Sequence, residues 1–182
     1  MNKKELNPNV SVDCVIFGFD LEQLYVLLID SGSTESHIPT RMAVPGDLIY
    51  DTETLDEAAR RVLKELAGIE NIYLEQIGAF GDPDRIGKKA SDRKWLESIR
   101  AMPEARVITV AYYSLVRMPN FNPKASSFAK SAGWAPVKEV HDLAFDHYDI
   151  LQSGLEQLKS CLLYTSDAAD DTPCVDLGGR RI

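Results

Sequence analysis

Apolar positions along this chain follow two different periods. Val12-Asp13-Cys14-Val15-Ile16-Phe17-Gly18-Phe19 is a nearly unbroken apolar run of strand length and predicts a buried strand. Leu24 to Ile29 predicts its partner, joined through Asp20-Leu21-Glu22-Gln23. A polar loop from Ser31 to Thr40 leads to a short strand around Met42-Ala43-Val44, and Pro45-Gly46 reads as a turn feeding a loop into a helix. There the period changes. Leu55, Ala58, Ala59, Val62, Leu63 and Leu66 recur at helical spacing, Thr54 and Glu57 form a capping box at the start, and Gly68 supplies the stop.

Beyond that helix, Ile72 to Phe80 predicts another strand. Gly81 to Glu104 reads as an insertion holding a short helix from Asp92 to Arg100. Arg106 to Val116 is the longest β-rich run, and Trp134-Ala135-Pro136-Val137 predicts a last short strand. Asp146 then reads as the cap of a helix carrying Ile150, Leu151, Leu155 and Leu158. The order and spacing give an α/β (α+β) fold, a mixed sheet sandwiched between helices.

Composition narrows the partners. The chain has 182 residues, 45% hydrophobic and 26% charged, which is the profile of one globular domain with room for an appendage. A net charge of −8 leaves no basic footprint, so these residues are not expected to grip nucleic acid by themselves. Met1 to Pro8 lacks the apolar run of a signal peptide, no segment reads as a bilayer span, and no membrane partner is expected. Cys14, Cys161 and Cys174 are widely spaced without metal-like pairing, which fits a reducing, cytoplasmic location.

The stretch from Gly46 to Ile69 resembles the Nudix box of the Nudix hydrolase superfamily. Glu53, Arg61, Leu63, Glu65, Gly68 and Ile69 fall on positions of the family pattern. Three positions depart from it: Asp47 stands at the box glycine, Val62 at the glutamate after the arginine, and Leu66 at the second of the late glutamates. In the family those glutamates hold the Mg²⁺ that activates water against a pyrophosphate, and a hard cation needs several oxygens. Glu65 is the one carboxylate left on that face as a metal ligand, so the centre reads as dismantled and no cofactor is expected. The plainer reading of Glu57, Arg61 and Glu65 is an i, i+4 ladder on a solvated helix face, each pair worth roughly 0.2–0.5 kcal/mol.

Residues 10 to 159 also resemble a narrower group, the Nudix-related transcriptional regulators. The resemblance rests on Ser11 to Phe19, Ala59 to Leu66, Glu75 to Asp82, Arg106 to Tyr113, and Ala144-Phe145-Asp146-His147. It implies a non-catalytic Nudix-like domain, residues 1–159. Such a domain binds a sugar, sugar phosphate or ADP-ribose-like effector and controls DNA through a winged helix expected downstream. A homodimer is expected, since an apolar sheet edge pairs readily. The stretch 160–182 resembles read-through of a transposase-type sequencing adapter; a natural disordered tail is the alternative, and it is set aside from functional reasoning. Candidate ligand contacts are Phe80, Asp82, Arg106, Tyr112 and His147. All but Arg106 have a structural alternative: a turn at Phe80-Gly81-Asp82-Pro83, strand packing with one tyrosine of the Tyr112-Tyr113 pair directed outward or to a pocket, and a hydrogen-bonded core histidine at His147. The competing function is a Mg²⁺-dependent hydrolase of a nucleoside diphosphate linked to another moiety, with Glu53, Glu57 and Glu65 as ligands.

Overall fold

The computed structural model describes residues 5–30, 41–86 and 90–170. The expected loop from Ser31 to Thr40 lies outside the described residues.

The axis of the fold is β1 (Leu6–Phe19), longer at its start than the apolar run alone predicts. One of its edges carries β6 (Ile108–Arg117) in parallel register from Val10↔Ile108 to Phe19↔Arg117. The other edge is shared. β4 (Gly46–Tyr50) pairs antiparallel with its first part, and β2 (Leu24–Asp30) with Phe17 to Phe19. β3 (Met42–Ala43) and β7 (Ser131–Pro136) extend the sheet from β2, and β5 (Glu75–Phe80) closes the far side against β6.

Helices cover both faces. α1 (Leu55–Ala67) packs Ala58, Ala59, Val62, Leu63 and Leu66 onto Val12, Cys14, Ile16 and Tyr112. α3 (His147–Asp170) packs Ile150, Leu151 and Leu158 against Val15, Phe17 and Tyr113. A strand buried on both faces has no polar side to show, which is why β1 reads as a continuous run. Of the two alternatives for the second tyrosine of the Tyr112-Tyr113 pair, outward or to a pocket, the same fact removes the outward one. They point to opposite faces, and both are buried, at 1% and 7% exposure. α2 (Ala90–Ile99) adds a smaller third cluster, Leu96 with Leu48, Ile86 and Val107.

Two local readings are corrected. The stretch after Pro45-Gly46 is not a loop but β4, with Asp13↔Gly46 and Val12↔Asp47 in register. Five residues containing Gly46 and Asp47 carry little alternation, so only the pairing with β1 defines the strand. Asp146 does stand at the start of α3 through its carbonyl, which accepts from the Ile150 N–H at 3.1 Å. Its carboxylate does not cap; it turns inward to Arg85. α3 continues past residue 159 to Asp170, with Cys161, Leu162 and Leu163 exposed.

Candidate functional site

The capping box is complete: Thr54 Oγ1 accepts from the Glu57 N–H, and the Glu57 carboxylate accepts from the Thr54 N–H at 2.8 Å. Gly68 ends the helix in the left-handed region at φ 65°, where a side chain would be strained. Between these ends Arg61 is a hub. Its Nε and Nη2 donate to Glu53 at 2.9 and 2.7 Å, Nη2 also to the Leu48 carbonyl at 2.9 Å, and Nη1 to Glu65 at 3.1 Å. The guanidinium lies 4.4 Å from the centre of the Tyr50 ring, and Asp47 Oδ2 approaches it at 3.9 Å. Burial opposes the arginine's charge, but the hydrogen bonds to Glu53 and Glu65 outweigh it and raise the pKa. Glu53 also accepts from the Tyr50 N–H at 2.7 Å, so Glu53, Arg61 and Glu65 form a brace tying the β4–α1 loop to the helix.

The inner face of α1 is dry. Val62 is 0% exposed and Leu66 1%, in one cluster with Cys14, Val116 and Ala129, against which Phe121, Phe128 and Trp134 pack. Burial pushes the Cys14 thiol well above its ordinary pKa, so it stays protonated and inert.

A second cluster lies across β1 from the brace. Arg85 bridges Asp13 at 3.2 Å and Asp146 at 2.7 Å, all three largely buried. His147 accepts the Val44 N–H on Nδ1 at 3.2 Å and holds Nε2 3.6 Å from Asp13 Oδ1. Burial lowers the His147 pKa, helped by Arg85, while Asp13 pulls it up; the net direction is down and the ring is neutral. Asp92 accepts the Phe145 N–H at 2.8 Å and ties α2 to the same corner. Gly46 is required here, because a Cβ would overlap the Asp13 carboxylate. Asp13, Gly46, Arg85 and His147, with Asp47, Arg100 and Phe128, line a small chamber of about 30 Å³. It adjoins a cleft of about 360 Å³ that shares Asp47, Arg100 and Phe128 with it.

The NUDIX domain pattern matches residues 7–153. The chain belongs to the NUDIX domain family. The ADPR responsive transcriptional repressor NtrR of Acinetobacter baylyi is 30% identical to it over 167 residues, covering 88% of this chain and 58% of the repressor. The NUDIX domain of Shewanella oneidensis NrtR, solved in complex with ADP ribose, superposes with a TM-score of 0.65 at 25% identity, over 82% of this chain and 88% of that one. A mutT/nudix family protein from Listeria innocua gives a TM-score of 0.66 at 25% identity, over 86% and 97%.

In this NUDIX domain the donor set at α1 does not fit the Mg²⁺ centre of the family box. Glu53 is held by Arg61, Glu57 by the cap, Glu65 by Arg61, and the other two positions are apolar and buried. Among the described residues no three His, Cys, Asp or Glu side chains converge to hold a metal.

The candidate ligand contacts are scattered. Tyr112, on the α1 side of the sheet, donates to Asp56 at 2.7 Å and accepts from Gln76, and burial pushes its pKa up to about 12. His147 belongs to the Asp13–Arg85 cluster. Asp82 accepts from the Asp84 N–H at 2.8 Å, a local turn bond, while Phe80 packs half-buried against the α3 side of the core. Arg106 donates to the Gly81 carbonyl at 2.9 Å and lines a separate open cleft with Arg93 and Glu104. Sequence reasoning missed Asp13, Arg85 and Arg100. One signal was present: an aspartate inside an otherwise apolar strand is buried only with a partner.

Proposed function

We propose that this NUDIX domain is the non-catalytic effector module of a transcriptional regulator and binds a sugar- or nucleotide-type metabolite of the ADP-ribose class. The observation that carries this reading is the burial of Val62 and Leu66 in the main core, where the family box places metal-binding acids. A dry, apolar helix face leaves nothing to bind an ion beside an attacking water. The ligand class is supported by the names of the relatives: one is called ADPR responsive, and another was solved with ADP ribose. The chain spans 58% of the length of the repressor it matches, so contact with DNA is proposed through a segment outside these residues, and a homodimer through a sheet edge.

Calorimetric titration of ADP-ribose, with and without Mg²⁺, combined with chromatography of the products, tests the proposal. Binding independent of Mg²⁺ and without product is expected. Mg²⁺-dependent turnover that Glu65→Gln abolishes would overturn it in favour of the hydrolase.

A further inference from the structure

α2 is fastened to the domain differently from α1 and α3. Among its described side chains, Asp92 and Leu96 are buried, at 1% and 2% exposure, while Arg93, Lys94 and Glu97 are exposed. Leu96 enters the small cluster of Leu48, Ile86 and Val107 rather than either main core. Among the described residues, no backbone–backbone hydrogen bond ties α2 to another element. The charged fastening is at Asp92. Its Oδ2 accepts the Phe145 N–H at 2.8 Å, and its Oδ1 pairs with Arg41 Nε at 3.1 Å. Arg41 Nη2 donates to the Leu143 carbonyl at 2.6 Å, so one buried carboxylate joins α2 to the residue before β3 and to the turn that precedes α3.

The receiving end is strained. Phe145 holds φ at 57°, in the left-handed region, which is costly for a bulky residue and persists only where the surroundings impose it. Asp92 fixes its N–H, and its ring stands edge-on to His147 with the centroids 5.3 Å apart. The small chamber beside Asp13 lies at this corner. Ile86 and Arg100, which precede and follow α2 in the chain, line it together with Phe145 and His147. We infer that α2 is a strap over the chamber, latched by Asp92, that lifts as a unit while the sheet stays folded. Lifting breaks one small apolar cluster and one buried ion pair, and it lets Phe145 leave its strained conformation. Segments that bury few apolar side chains open well below the free energy of global unfolding. The closed strap keeps Asp13, Arg85 and His147 at 5% exposure or less; the open one admits solvent and small solutes to them. It stands on the contacts of α2 and needs no ligand of the effector class.

Hydrogen exchange of the full chain, followed by mass spectrometry over a series of low urea concentrations, tests the strap. Amides of residues 94–100 and of Phe145 are expected to exchange earlier than those of β1 and α1. Their dependence on urea should also be weaker, because a local opening exposes little surface. Asp92→Asn removes the charge facing Arg41 and should speed exchange at both places by about tenfold or more, leaving β1 and α1 as in the parent. Leu96→Ala loosens the apolar side of the strap and should do the same. Sealing is read separately with diethyl pyrocarbonate, which modifies accessible neutral histidines. His147 should react slowly in the parent and faster in both variants, while the exposed His141 reacts equally in all three. Exchange of α2 in step with β1 at every urea concentration, or acceleration spread evenly over the domain in both variants, would overturn the proposal. So would an unchanged His147 rate in variants whose α2 exchange has risen.

Discussion

Replacing Val62 by glutamate restores the family residue at that position, and the sequence alone suggests that Val62→Glu with Leu66→Glu would bring back a metal site. The structure predicts a different outcome. Val62 is 0% exposed among Ala59, Leu63, Leu66, Cys14 and Tyr112. Losing the buried valine costs about 1.5–3 kcal/mol. The new carboxyl has no partner there, and fully buried glutamates have pKa values of roughly 8–9, about four units above the usual value. At about 1.36 kcal/mol per unit, the ionised form costs roughly a further 5–6 kcal/mol. Against a total stability of about 5–15 kcal/mol, that unfolds much of the protein at alkaline pH. The sign follows from the raised folded-state pKa: the charge penalty is absent below the unfolded value near about 4.3. It grows as pH rises, and is complete above the folded value. Urea denaturation of Val62→Glu at pH 5 and pH 8, followed by circular dichroism, reads both parts, with Val62→Ala separating the lost packing from the charge. A variant within about 0.5 kcal/mol of the parent at pH 8, binding Mg²⁺ in equilibrium dialysis, would refute the reasoning; that margin is the spread of ordinary surface substitutions.

Other expectations follow from single contacts. His147 has a lowered pKa in the folded state, so stability should be fully present above pH 6.5 and fall as pH drops below it, by up to about 1.4 kcal/mol per unit. His147→Gln should flatten that slope in denaturation curves taken between pH 7.5 and 5. Gly46→Ala forces a methyl onto Asp13 and should cost about 1–3 kcal/mol by chemical denaturation, whereas Gly133→Ala, with open space around it, should be near neutral. Thr54→Ala removes the acceptor for the Glu57 N–H and should lower stability by about 1 kcal/mol, measured the same way.

What the sequence by itself determined was local and periodic. The Thr54–Glu57 box and the Gly68 stop both bound α1 as expected, because a cap is decided within one turn of chain. The apolar runs placed β1, β2 and β6; of the expected Glu57–Arg61–Glu65 ladder the Arg61–Glu65 half forms, four residues apart on one helix, while Glu57 is taken by the Thr54 cap and Arg61 turns to Glu53 instead. Tertiary structure alone decided the remainder. β4 exists only as a partner of β1, and Tyr112 and Tyr113 are both buried only because α1 and α3 cover opposite faces. Asp13, Arg85 and Asp146 are separated by 72 and 61 positions, and their meeting is a product of sheet topology. The physical reason is range. Capping and helical spacing act within a few residues, while the pairing of buried charges and the drying of the α1 face depend on which distant strands arrive beside them.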